Sequence, residues 1–212
     1  MITTIAFALG AVVCTATTAP SHESRAALFT DSTYKALYDS GQTFTDFVSK
    51  ATARKEQWEG NYAMKVAPDV LVTRAAAAGT GWKLLVVTVP GCSDSVNIVP
   101  YVASLLDKVA SVEMRLISPA LGKAVQEAHR TPDGRAATPT FILLDAEFNE
   151  RGCWVERPSN LIELMKNGTD FERKMAWYDK DRGASSLEEI VQMIEAAHAG
   201  SKKCASDLLK TP

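Results

Sequence analysis

Three strand-forming stretches, residues 84–89, 112–117 and 140–144, constrain the fold of this chain more than any other feature. The first and third, 84–89 and 140–144, are near-continuous apolar runs that read as strands covered on both faces. Between the first two lie residues 96–109, and between the second and third residues 121–130, both with helical spacing. Thr131-Pro-Asp-Gly134 signals a turn, residues 145–152 a hairpin-type connection, and residues 153–156 a further short strand. Helices over 161–166, 171–178 and 186–199 close the pattern, the last opened by a capping box at Ser185-Ser-Leu-Glu188. The order βαβα, then ββ, then α predicts an α/β fold: a central mixed sheet, parallel in part with one antiparallel edge, flanked by helices.

Upstream, apolar residues recur at helical intervals: Leu28, Tyr34, Leu37 and Tyr38, then Phe44, Phe47, Val48 and Ala51, then Trp58, Tyr62 and Met64. Pro68 suits the first turn of a further helix over 69–78, stopped by Gly79-Thr-Gly81. Such spacing marks core-facing positions rather than a cofactor site. The expected organisation is an N-terminal helical extension over 24–80, an α/β domain over 81–200 and a tail over 201–212. Residues 1–19 carry no charged side chain and hold an apolar core of about ten residues before small ones. They read either as a secretory signal cleaved after Ala19, giving a periplasmic or extracellular protein, or as an uncharged tail on a cytoplasmic one. The stretch is too short to span a bilayer stably.

With 212 residues, 46% of them hydrophobic, the chain has material for one elaborated domain. A formal net charge of -2 and the lack of a Lys/Arg-rich tract exclude the usual electrostatic footprint of a nucleic-acid partner. Cys14, Cys92, Cys153 and Cys204 are too few and scattered for a disulfide framework, and no Cys/His pair has zinc spacing, so no metal is expected. Cys153 and Cys204 stand as a structural disulfide of an exported protein, or Cys153 as an inert buried thiol in its strand.

The chemistry concentrates at Cys92, where the first apolar run breaks at Pro90-Gly91 and a helical segment begins. The first turn of a helix offers free N–H groups that favour a thiolate. The tetrad Cys92-Ser93-Asp94-Ser95 carries a hydroxyl where a dithiol motif has its second sulfur. Thr138-Pro139 stands just before the third strand and, if the sheet brings it beside Cys92, offers an extended edge for a substrate and a proline open to the cis form.

These residues resemble the thioredoxin superfamily: Cys92 after a core strand, Pro100 eight residues later, and Thr138-Pro139 in the cis-proline place. A closer resemblance is to the thioredoxin-like group with a Trp-Cys-Gly-Asp-(Ser/Ala) active site and a helical N-terminal extension. Asp94, Ser95, Asn97, Pro100, Gly134-Arg135, Trp154, Arg157-Pro158 and Trp177-Tyr178 match its pattern, over roughly residues 27–198. Gly91 and Ser93 depart from it, standing in place of the tryptophan and the glycine. The resemblance implies a thioredoxin-like fold and thiol-disulfide exchange.

With one sulfur, the available chemistry is a mixed disulfide with a protein or low-molecular-weight disulfide, resolved by glutathione or another external thiol. Ser95 is expected to donate a hydrogen bond to the thiolate, and Asp94 either to cap the helix or to move a proton. Thr138, Pro139, Gly91 and Arg135 form the expected substrate-binding set. Arg130 and Arg135 read as thiolate or carboxylate partners or as solvated loop residues, and His129 as a helix-end cation or the base of a cysteine hydrolase. The alternative to exchange is a redox-inactive thioredoxin-fold module that holds a peptide beside Pro139. Asn167-Gly-Thr169 has the form of a glycosylation sequon.

Overall fold

The structure is a computed structural model, described over residues 31–166, 168, 170–202 and 204. The predicted signal segment 1–19, Leu28, Asn167, Thr169 and most of the tail lie outside the described residues. Among the described residues, four short helices come first: α1 (Asp31–Asp39), α2 (Phe44–Ser49), α3 (Lys55–Ala63) and α4 (Asp69–Ala77). The α/β part then runs β1 (Trp82–Val87), α5 (Ser93–Val96), α6 (Val99–Leu106), β2 (Val112–Ile117), α7 (Pro119–Ala128), β3 (Thr140–Leu144) and β4 (Glu150–Val155). Helices α8 (Ser159–Met165), α9 (Phe171–Asp181) and α10 (Ala184–His198) complete it.

The sheet order is β2-β1-β3-β4. β1 pairs parallel with β2 and antiparallel with β3, which pairs antiparallel with β4. This is the mixed, helix-flanked sheet expected from the apolar runs. Alternation along the strands divides the core into two layers. Leu84, Val86, Phe141, Leu143 and Trp154 face a layer that includes Trp58, Leu71, Val102 and Ile190. Leu85, Val87, Ile142, Leu144 and Cys153 face Tyr34, Tyr38 and Val125. Both sheet edges are occupied. Gln42 exchanges two 2.9 Å backbone hydrogen bonds with Leu116 on β2. Cys204 lies as an isolated parallel bridge on β4 and is joined to Cys153 by a disulfide across 51 residues, so Cys153 is not a free thiol in its strand.

Three local expectations are corrected. The first strand begins at Trp82 and ends at Val87, before the apolar run does, and Val89 is exposed beyond the ladder. The helix expected over 96–109 is broken into α5 and α6, because Ile98 leaves helical geometry (φ -129°, ψ -57°) and Pro100, in the first turn of α6, lacks an N–H to carry the ladder through. The capping box at Ser185 does not form. The N-cap of α10 is Gly183 (φ 79°), Ser185 Oγ donates to Asp181, and Glu188 turns to Arg74. A Cβ on Gly183 would lie 2.5 Å from the Tyr101 ring, so glycine at this turn is what lets α10 pack against α6.

Candidate active site

Parallel pairing of β1 with β2 and antiparallel pairing of Val87 with Thr140 bring the end of β1 and the start of β3 together at one end of the two central strands. The loop carrying Cys92 leaves the first, and Thr138-Pro139 enters the second. The Thr138-Pro139 peptide is cis. The partly exposed Cys92 is the N-cap of α5, and its Sγ accepts from the Ser95 backbone N–H at 3.4 Å and donates to the Thr138 carbonyl at 3.3 Å. It is the free cysteine among the described residues. Support for the sulfur therefore comes from one N–H of a four-residue helix. The Ser95 hydroxyl, expected to reach the sulfur, is instead fully buried and has no hydrogen-bond partner among the described residues.

Asp94 corrects the sequence reading most clearly. Its carboxylate is buried and accepts from Arg157 Nε and Nη2 (both 3.1 Å), Lys174 Nζ (3.2 Å) and Tyr178 OH (2.8 Å), with no helix N–H among these partners. Burial works to raise this carboxyl, but the Arg157 bonds and charge, with Lys174 and Tyr178, outweigh it and hold it below the usual carboxylate value. A carboxylate so held stays ionised, which suits an anchor and not a proton carrier. The same contact acts in reverse on Tyr178, whose hydroxyl is pushed up by burial and by the Asp94 charge.

Asp94 belongs to a chain of alternating charges that runs from Asp133 to Lys174. Arg135 pairs with Asp133 (2.7 Å) and bidentately with Glu156 (3.0 and 2.8 Å). Glu156 pairs with Arg157 (2.9 Å), and the Glu156 backbone N–H donates to the Pro139 carbonyl at 2.8 Å. Arg135 thus faces carboxylates of its own chain, and it holds the Asp133 carboxyl down to about 2 with help from Thr131. A cleft of about 620 Å³ opens here, lined by Thr131, Arg135, Glu156, Arg157, Ile162 and Met165 among others.

The opposite wall comes from the N-terminal helices, which nothing local in the sequence ties to the site. Arg54 Nε donates to the Gly91 carbonyl (3.1 Å) and the fully buried Trp58 donates through Nε1 to the Pro90 carbonyl (3.0 Å). Asn61 Nδ2 donates to the Val96 carbonyl (2.8 Å), and Tyr101 OH donates to Asn61 Oδ1 (3.1 Å). Asn97, one of the pattern-matched residues, closes the α5 turn through Nδ2 to the Ser93 carbonyl (2.8 Å). Gly91 itself is exposed, and a Cβ there would meet only Ala53 Cβ, at 3.9 Å.

The remaining candidates lie elsewhere. Arg130 pairs with Glu127 and donates to the Gly134 carbonyl. His129 is buried at the end of α7, with Nδ1 on the Val125 carbonyl and Nε2 on Glu150, both at 2.9 Å, which leaves it engaged away from Cys92. No group of three or more His, Cys, Asp or Glu among the described residues could hold a metal, and no helix there is long and apolar enough to cross a membrane.

A protein-family model described as Thioredoxin matches residues 41–175. Among solved structures, a protein of unknown function from Pseudomonas aeruginosa is 24% identical with a TM-score of 0.61, covering 77% of this chain and 98% of its own. An HIV epitope scaffold is 21% identical, also with a TM-score of 0.61 and the same coverages. At these identities the two structures speak for the fold. No curated protein matches the sequence.

Proposed function

The chain belongs to the thioredoxin family, and on that premise we propose that it performs monothiol thiol-disulfide exchange through Cys92. One observation carries this reading: a partly exposed thiol held between the Ser95 N–H and the carbonyl preceding a cis-proline. The resemblance to the Trp-Cys-Gly-Asp-(Ser/Ala) group supports it. Loss of the thiol proton ends the bond to the Thr138 carbonyl and leaves that oxygen open to an N–H of an extended substrate. The Cys92 thiolate attacks one sulfur of a substrate disulfide. A Cys92–substrate S–S bond forms, the substrate S–S bond breaks, and the departing thiolate takes a proton from water. With Cys153 and Cys204 tied to each other, an external thiol such as glutathione resolves the adduct, its thiolate attacking the substrate sulfur and returning the electron pair to Cys92. The reaction is redox-neutral at each step and needs no bound cofactor.

The test is incubation with glutathione disulfide at neutral pH and mass spectrometry of the product. One glutathionyl adduct per chain is expected, absent in Cys92→Ser and removed by excess glutathione. A Cys92 thiol that reacts no faster than free cysteine in solution overturns the reading.

The cleft lined by Thr131, Arg135, Glu156 and Ile162 favours a second reading, a redox-inactive module for a peptide or protein partner. Peptide binding that survives Cys92→Ala and is lost in Ile162→Asp selects it. The Cys153–Cys204 disulfide supports export to an oxidising compartment. An N-terminus at Pro20 in the mature protein is the expected mass-spectrometric result, and an intact residue 1 contradicts it.

A further inference from the structure

Every cation on the Pro139 side of Cys92 is matched by a carboxylate of its own chain. Arg135 has Asp133 and Glu156, Arg157 has Asp94 and Glu156, and Lys174 has Asp94. Arg54, on the other side, is not. Its Nε is occupied by the Gly91 carbonyl and its Nη1 by Gln57 Oε1, and no carboxylate among the described residues lies within ion-pair distance of it. The bond to Gly91 fixes the guanidinium one residue from the nucleophile while its outer edge stays exposed. It borders a hollow of about 460 Å³ formed by residues 51–57, where Lys55, also without a carboxylate partner among the described residues, adds a second positive charge against Glu56. Because Gly91 has no side chain and is itself exposed, nothing on that residue separates this hollow from Cys92.

We propose that Arg54 is a specificity-determining residue that selects disulfides bearing a carboxylate close to the sulfur attacked by Cys92. The proposal rests on exchange at Cys92 and names its substrate class. Arginine suits the task because a planar guanidinium, with three of its five N–H groups to spare here, meets a carboxylate in fixed geometry. The contact steers an anionic disulfide into the attack position, and it weakens as salt screens it.

The experiment compares Cys92 exchange rates with dithiobis(nitrobenzoate), which is anionic, and dithiodipyridine, which is neutral, each divided by the rate of a small free thiol with the same probe. The normalised anionic-to-neutral ratio is expected to exceed one by roughly fivefold at low salt, the size of an exposed ion pair. It is expected to fall toward one in high salt and in Arg54→Gln, and to be largely kept in Arg54→Lys, which retains the charge but not the fork that holds Gly91. A ratio near one in the wild type, or a ratio unchanged in Arg54→Gln, overturns the proposal. So does equal loss in Arg54→Gln and Arg54→Lys, which assigns the effect to the Gly91 loop. Normal exchange with both probes but no charge preference leaves the exchange reading standing. Rates no better than the free thiol with either probe remove that reading itself. Glutathione disulfide and a pair of peptide disulfides, with Glu or Gln beside the cysteine, distinguish a small-thiol from a protein source of the carboxylate. An Arg54-dependent preference in either series supports the proposal.

Discussion

Asp94 shows how far a residue's neighbours in space determine its role. Read alone, an aspartate in the first turn of a helix is a cap, yet here its oxygens are taken by Arg157, Lys174 and Tyr178, from 63 to 84 residues away. Removing it leaves the buried Lys174 without its carboxylate and Arg157 with Glu156 alone, so Asp94→Ala is expected to lower unfolding free energy by about 3 kcal/mol in urea titration. The same pairing fixes a pH dependence. The folded-state carboxyl lies below its unfolded value, so the contribution of Asp94 is complete above the ordinary carboxylate range, about pH 4, and is lost as pH falls through and below it. Urea unfolding over a pH series is expected to show a shallower acid decline in Asp94→Asn than in the wild type. An identical decline assigns acid sensitivity to other carboxylates.

At the scale of elements, the N-terminal helices act as one wall of the site. α3 holds the Cys92 loop from behind through Trp58 and Asn61, with Arg54 at its N-cap. Trp58→Phe keeps most of the ring and loses the bond to the Pro90 carbonyl, an expected cost of about 1 kcal/mol. Trp58→Ala empties a fully buried site and is expected to cost about 3–5 kcal/mol. Amide exchange at Gly91 and Cys92 is expected to quicken in both variants, while exchange in β3 changes only with global stability. Had these helices been an independent appendage, the loop amides would not respond. The strand over 140–144 is legible to the residue, because a short apolar run after a turn signal has few alternatives, and the bounds of 112–117 match the observed strand as well. The break between α5 and α6 is not legible in helical periodicity, which continues across it on either side.

For the whole molecule, the disulfide closes the fold by tying residue 204 to the β4 edge that a tail would otherwise leave open. Closing a loop with a separation of 51 residues lowers the entropy of the unfolded chain, and Cys204→Ser is expected to reduce stability by up to about 4 kcal/mol. Equal melting temperatures for the wild type with and without reductant, once reduction is verified by mass, contradict this. Cys92 chemistry is expected to persist in Cys204→Ser, since Cys153 and Cys204 are spent on one another and not on the site.

The sequence by itself determined the α/β class, the mixed sheet, the position of Cys92 beyond a core strand and the place of Thr138-Pro139 beside another. These follow from local periods and from residues whose backbone limits are strong wherever they occur. Only the tertiary structure decided the partners: Arg157, Lys174 and Tyr178 around Asp94, the N-terminal wall of Arg54 and Trp58, and the pairing of Cys153 with Cys204. The physical reason is that hydrogen bonds and ion pairs between residues tens of positions apart leave no period in the chain. Cys92 was visible as a lone thiol because its placement is local, and what surrounds that thiol is not.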